Sequence, residues 1–186
     1  AILAPSTHNS QPWLFKIKDG SVEIHIDKSR RLPQADPSGR DIYISIGCML
    51  ENLIVAARYF GIYEKHIYHL KDNFAVEVFF KSPDNTQQTV RNMGQYALFN
   101  VIAKRINARG LFEGKPINKA VLDFIDILSK SVQSEILLST DIRADFITDK
   151  GKITHLAELT ARGLKMAHSS SIFRQEMSRW LISNFS

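Results

Sequence analysis

The first part of the chain alternates apolar and polar residues in two short runs, Trp13 to Lys18 and Val22 to Asp27. Alternation with a period of two places one set of side chains on each face of a β-strand. Asp19 and Gly20 lie between the two runs, and an Asp-Gly pair supplies the positive φ angles that a tight turn needs. The pattern therefore predicts a β-hairpin.

The spacing becomes helical after Pro37, and Gly61 follows this segment in the manner of a residue that ends a helix. Apolar residues recur there every three or four positions, as in a helix with one buried face: Ile42, Ile46, Met49, Leu50, Leu53, Ile54 and Ala57. Two further strands are predicted from His66 to Leu70 and from Phe74 to Phe80.

Helical patterns dominate the remainder of the chain, after a polar segment from Lys81 to Thr89 that is the best linker candidate. They predict helices over Gln87–Ile106, Asn118–Ser129, Lys152–Ala167 and Ile172–Phe185, with a strand over Glu135–Leu138. The expected fold class is α+β, with an antiparallel-rich sheet flanked by helices.

Composition agrees with an ordinary globular domain, because 44% of the 186 residues are apolar and 23% are charged. Cys48 is the only cysteine, which excludes an internal disulfide framework and a multi-cysteine metal site. A lone thiol fits a reducing compartment, so a cytoplasmic location is expected.

His66 and His69 would point to opposite faces of their strand, and no metal site is expected. The sequence contains no long uninterrupted apolar run, so no membrane partner is expected.

The charge of +5 comes from 24 basic and 19 acidic side chains and is unevenly distributed. Residues 91–110 carry four basic side chains and no acidic one. Such a patch suits a phosphate-bearing ligand at least as well as nucleic acid, because long basic runs with interleaved aromatic residues are absent. A basic nucleic-acid-binding domain is therefore the last-ranked function, and no nucleic-acid partner is expected.

The segment from Ala4 to Trp13 reads Ala-Pro-Ser-Thr-His-Asn-Ser-Gln-Pro-Trp. Its two prolines fix φ, and its hydroxyl and amide side chains can hydrogen-bond the polar edge of a planar ligand. A helix-to-strand connector with Asx turns is the alternative explanation of the same residues.

This segment resembles the flavin-binding loop of the nitroreductase superfamily, and the fit runs without a gap from Ser6 to Phe15. The resemblance implies FMN as cofactor, with Ser6, Thr7, Asn9 and Gln11 along the flavin and ribityl chain. The segments that follow, Asp36–Arg40, Ser45–Gly47 and Glu51–Leu53, look like a divergent branch in which one chain holds two degenerate halves. That branch includes a dormancy-associated flavin-sequestering protein of mycobacteria.

A second segment, Lys104 to Phe112, looks like the arginine motif that opens a nitroreductase domain and grips the FMN phosphate. By this resemblance, Arg105, Asn107 and Arg109 would hold the phosphate, with Arg40 a weaker candidate. Two guanidinium groups on one turn can bind a phosphate dianion through charge-assisted bonds. A solvated helix end, whose cations complement the helix dipole, is the alternative.

Together the two motifs imply that residues 1–85 are the C-terminal part of a first half and residues 86–186 the N-terminal part of a second. The chain is accordingly expected to be partial. In the homodimeric members of the family, the loop and the arginines come from different subunits. The resemblance therefore allows a composite FMN site built across the two halves of one chain, and it also allows a homodimer.

The implied function is an FMN-dependent oxidoreductase that takes hydride from NAD(P)H and passes electrons to a nitro or quinone acceptor. The alternative is a non-catalytic FMN-binding or flavin-sequestering protein. Two departures bear on this choice. Residues 62–70 lack the glycine-containing segment that lies near the reactive flavin nitrogen in catalytic members, and Asn107 replaces a Ser or Thr. No catalytic residue is assigned.

Overall fold

A computed structural model describes residues 1–71, 73–82, 93–107, 114–135 and 146–180. It is a mixed α/β structure that divides into two compact units, residues 1–106 with 168–186 and residues 107–167. The predicted division into parts of two nitroreductase-like halves, residues 1–85 and 86–186, stays a prediction.

The first unit is built on a four-stranded antiparallel sheet with the strand order β1-β2-β4-β3. Its strands are β1 (Trp13–Lys18), β2 (Ser21–Ile26), β3 (Tyr63–Lys71) and β4 (Phe74–Phe80). Strands β1 and β2 pair from Trp13 with Ile26 to Lys18 with Ser21, which confirms the predicted hairpin. Gly20 in its turn has a φ of 75°, a value that glycine adopts without strain.

Helix α1 (Arg40–Tyr59) connects β2 to β3 and supplies one side of the core. Its buried residues Ile42, Ile46 and Met49 belong to the same cluster as Ile24 and the valines of β4, Val76 and Val78. In the described part of the chain, this helix is long and apolar enough to cross a membrane by length and composition. Its buried stripe lies in the core cluster, which is the position of a core helix.

Helices α2 (Met93–Ile102) and α5 (Ser171–Ser178) complete the described part of the first unit. The ring of Phe99 in α2 stacks on Tyr59 of α1 with centroids 4.1 Å apart. Ser170 caps α5 by accepting a hydrogen bond from the Phe173 amide at 3.3 Å. Residues 87–92 of the predicted second helix and 181–185 of the predicted last helix lie outside the described residues.

The second unit contains α3 (Lys119–Glu135) and most of α4 (Lys150–Ser169). Side chains cap both helices: Asn118 accepts from the Ala120 amide at 2.9 Å, and Asp149 accepts from the Lys152 amide at 2.8 Å. The predicted strand over Glu135–Leu138 is wrong at Glu135, which is the last residue of α3. A run of four residues is too short to separate the period of a strand from that of a helix, and its other three residues lie outside the described ranges.

Candidate functional site

The segment from Ser6 to Pro12 is a loop with unusual backbone geometry. His8, Asn9 and Gln11 have φ angles of 53°, 54° and 49°. Residues other than glycine seldom adopt this left-handed region because the Cβ atom crowds the backbone, although Asn and His tolerate it better than most. Such clusters persist only where surrounding contacts hold them, and they are concentrated at binding and catalytic sites.

Hydrogen bonds within the loop supply part of that support. The Ser6 hydroxyl oxygen accepts from the Gln11 amide at 3.0 Å, and the Ser6 carbonyl accepts from the Asn9 amide at 2.9 Å. The Gln11 side-chain amide donates to the Asn9 side-chain oxygen at 3.3 Å. Ser6, Asn9 and Gln11, three of the predicted flavin-binding residues, are therefore joined to one another.

Helix α1 and the segment after β2 hold the loop from outside. The Thr7 amide donates to the Ser45 hydroxyl at 3.4 Å, and the Thr7 hydroxyl donates to the Asp41 carboxylate at 3.3 Å. Arg30 donates to the Ser10 carbonyl at 2.9 Å. These three anchors were not predicted, because a single polar contact between distant segments leaves no periodic signal in the sequence.

Among the described residues, Arg105 of the first unit has a hydrogen bond to the segment just before the loop. Its guanidinium donates to the Leu3 carbonyl through Nε at 3.4 Å and Nη2 at 3.3 Å. Leu3 lies three positions before Ser6 in the sequence. Asn107 is exposed and belongs to the second unit, Arg109 lies outside the described residues, and Arg40 is the exposed first residue of α1.

Two surface cavities lie elsewhere in the molecule. One of about 150 Å³ adjoins the start of α1 and is lined by residues that include Lys28, Arg31 and Tyr43. The other, of about 510 Å³, lies in the second unit beside Asp149 and His155. No loop residue lines either of these cavities. Within the loop, His8 and Asn9 are exposed, Ser6, Thr7 and Gln11 are half-buried, and Ser10 is buried. In the described parts of the chain, no group of three or more His, Cys, Asp or Glu side chains could hold a metal ion.

The strongest electrostatic perturbation lies on the face of the sheet opposite α1. Glu23 pairs with Lys18 and with His25, whose Nε2 atom is 2.9 Å from Oε2 of Glu23. The hydrogen bond from Lys18 is the main reason that the pKa of Glu23 falls to about 2. Glu77 receives a hydrogen bond from the Ser21 hydroxyl at 2.7 Å, which lowers its pKa. The cluster is an ion-pair network between neighbouring strands, and a structural role accounts for its pKa shifts.

Comparisons with known proteins support a nitroreductase-like family for part of the chain. A 56-residue segment is 43% identical to a Mycobacterium tuberculosis protein named "Putative NAD(P)H nitroreductase acg", and it covers 30% of this chain and 17% of that protein. A second M. tuberculosis protein of similar name is 36% identical over 61 residues, 33% of this chain and 18% of its own. An uncharacterized protein of the same organism is 42% identical over 60 residues, 30% of this chain and 17% of its own.

The matched segments thus span less than a fifth of the length of these curated relatives. No family model matches the chain. These findings support a nitroreductase-like family on the strength of a partial resemblance.

Proposed function

We propose that this protein binds FMN and acts as an NAD(P)H-dependent oxidoreductase of the nitroreductase type. The observation that carries the proposal is the Ser6–Gln11 loop, a strained polar segment held by anchors from α1 and bordered by the Arg105 guanidinium. The partial matches to nitroreductase-named proteins support the same conclusion.

In this proposal, Ser6, Thr7, Asn9 and Gln11 contact the flavin ring and ribityl chain. Their hydroxyl and amide groups offer both donors and acceptors to the polar edge of a planar ring. The strained backbone is already in one conformation before the ligand arrives, so less ordering entropy is lost on binding. The fixed conformation of the loop therefore favours ligand binding.

Arg105, with Asn107 and Arg109, is proposed to hold the phosphate. A guanidinium presents a planar fork of donors that matches phosphate oxygens, which gives stronger and more directional bonds than an ammonium group. The bond from Arg105 to the Leu3 carbonyl brings a cation to a residue three positions before the loop, and a ligand that spans both motifs would need a cation for its phosphate.

Bound FMN would supply the hydride chemistry, and the residues of this chain would position it and determine its solvent exposure. The alternative is a protein that sequesters FMN without turnover. One observation favours it: the segment after α1 is strand β3, whose backbone pairs with β4 from Tyr63 to Lys71. The backbone groups that pair with β4 are not available to a flavin, and only those on the outer edge of β3, an edge strand of the described sheet, remain.

The test is retention of FMN by the purified chain after desalting, followed by titration of FMN and of riboflavin. Arg105→Ala should weaken FMN binding about tenfold or more and leave riboflavin binding unchanged, because riboflavin lacks the phosphate. Arg162→Ala, which removes an exposed arginine of α4, is the matched control.

Parent protein that binds neither flavin would refute the proposal. If FMN is retained, steady NAD(P)H oxidation with a nitro or quinone acceptor supports the enzyme, and tight FMN without turnover supports sequestration. Sedimentation of the FMN-loaded protein tests whether a homodimer forms, and salt-sensitive retention on DNA by a colourless protein would favour the nucleic-acid alternative.

A further inference from the structure

The contacts of Thr7 determine which kind of hydrogen bond it can make to a ligand. A threonine hydroxyl has one hydrogen to donate and two lone pairs to accept with. The Thr7 hydrogen is directed to the Asp41 carboxylate, with 3.3 Å between the oxygens. The Thr7 oxygen therefore has only acceptor capacity left for a ligand.

Asp41 is itself held in place by α1. It lies in the first turn of this helix, and its carbonyl accepts a hydrogen bond from the Ser45 hydroxyl at 2.7 Å. Ser45 is buried, with 4% of its surface exposed, and its oxygen also accepts from the Thr7 amide at 3.4 Å. Asp41 and Ser45 thus fix both the backbone and the hydroxyl of Thr7 from one helical turn.

Ser6 provides the contrast within the same loop. Its hydroxyl oxygen accepts from the Gln11 amide at 3.0 Å, so the Ser6 hydrogen remains to be donated. The two adjacent hydroxyl groups therefore differ: Ser6 keeps its hydrogen and one lone pair, whereas Thr7 keeps only lone pairs. A ligand group that faces Ser6 can therefore be an acceptor or a donor, whereas one that faces Thr7 must be a donor.

We propose that Asp41 is a positioning residue that makes Thr7 an obligate hydrogen-bond acceptor, so that the ligand group facing Thr7 is an N–H or O–H donor. This inference rests on the proposed flavin function and deepens it. A flavin nucleotide carries donors of both kinds, the ring N–H between its two carbonyl groups and the ribityl hydroxyls. A ligand with only acceptors at this position would be rejected, because lone pairs would face lone pairs.

The experiment measures FMN affinity for the full chain and four variants: Thr7→Val, Thr7→Ser, Asp41→Asn and the double variant Thr7→Val/Asp41→Asn. Removal of one neutral acceptor should weaken binding about 3- to 10-fold in Thr7→Val, whereas Thr7→Ser keeps the hydroxyl and should stay within about 2-fold of the parent. Asp41→Asn should show a loss no larger than that of Thr7→Val, because the amide oxygen can still accept from Thr7, whereas its N–H group can donate to Thr7 and turn the Thr7 hydrogen toward the ligand.

The double variant separates positioning from general support of the fold. If Asp41 acts through Thr7, Asp41→Asn should cause no further loss in the Thr7→Val background. Glu51→Gln, which alters an exposed carboxylate of the same helix, should leave FMN affinity unchanged. Lumiflavin, which has the ring N–H but no ribityl chain, distinguishes the donors: a loss with lumiflavin in Thr7→Val identifies the ring, and no loss identifies a ribityl hydroxyl.

FMN affinity in Thr7→Val equal to that of the parent, or a loss in Asp41→Asn that adds fully to that of Thr7→Val, would overturn the inference while the proposed function stands. Parent protein without FMN affinity would overturn the proposed function and this inference together. Should Asp41→Asn fail to fold, the comparison of Thr7→Val with Thr7→Ser still decides whether Thr7 accepts, since equal affinities for FMN in these two variants would refute it.

Discussion

Glu176 connects two segments that are far apart in sequence, and removing its carboxylate should loosen the turn that precedes α1. The residue is 7% exposed and lies in α5. Its carboxylate accepts from the Gln34 amide at 3.0 and 3.2 Å and from the Ala35 amide at 2.9 Å. Both amides therefore depend on a single side chain more than 140 positions away.

The magnitude follows from the two donors. A hydrogen bond to a charged group contributes about 1.5–3 kcal/mol, and solvent recovers part of this where the donor is exposed, as at Gln34. Glu176→Ala should therefore lower the free energy of unfolding by about 2–4 kcal/mol. Glu176→Gln keeps one acceptor oxygen and the side-chain volume, so about 1–2 kcal/mol is expected.

Urea unfolding of the parent and of each variant measures the total, and amide hydrogen exchange at residues 34 and 35 locates it. Exchange there should accelerate in Glu176→Ala, while amides of the β1–β2 hairpin change less. Glu51→Ala, an exposed carboxylate of α1, is the control. An unchanged free energy together with unchanged exchange at residues 34 and 35 would show that water satisfies these amides as well as Glu176 does.

Three further predictions concern residues outside these contacts. The pKa of Glu23 falls from 4.5 to about 2 on folding, so the stability that its carboxylate contributes is present above pH 4.5 and lost as the pH drops toward 2. In Glu23→Gln, the free energy of unfolding should depend less on pH across that window, and an equally steep dependence in the variant would contradict the assignment. His8→Val should destabilise the fold by about 1–2 kcal/mol because a β-branched residue resists a positive φ, while His8→Gly should change stability by less than about 1 kcal/mol in thermal unfolding. Gly47 is helical with open space around it, so Gly47→Ala should raise the free energy of unfolding by about 0.5–1 kcal/mol. Gly61 has a φ of 72°, so Gly61→Ala should lower the free energy of unfolding by about 1 kcal/mol. A change of the same sign in both variants would refute the argument.

Three of the elements predicted from periodicity and turn chemistry agree with the structure, although the predicted strand at Glu135 does not. The Asp19-Gly20 turn, the helix with its apolar stripe from Ile42 to Ala57, and the strand ending at Phe80 were all predictable from neighbours in sequence. Local signals suffice in these cases because each element buries one face and is bounded by a residue with a distinct backbone preference.

The contacts that hold the loop were not predictable from the sequence. Asp41 looks like an ordinary acidic residue in a first helical turn, and Arg30 like a surface cation, until the fold brings them to Thr7 and Ser10. Glu176 lies in the predicted last helix, but nothing in its spacing indicated backbone amides of residues 34 and 35 as partners. Polar pairs formed by tertiary structure have no period, so only the fold reveals them.

Strand β1 forms an edge of the sheet in the described part of the chain, and its residues Phe15 and Ile17 are 43% and 82% exposed. An exposed apolar edge is a template on which another chain can add a strand, and lysines are a common safeguard against this. Lys16 and Lys18 alternate with those apolar residues and also pair with Glu23. The same two lysines therefore stabilise the pairing of β1 with β2 and discourage the addition of a strand from another chain. A substitution that neutralises both lysines would weaken the sheet and favour self-association at the same time.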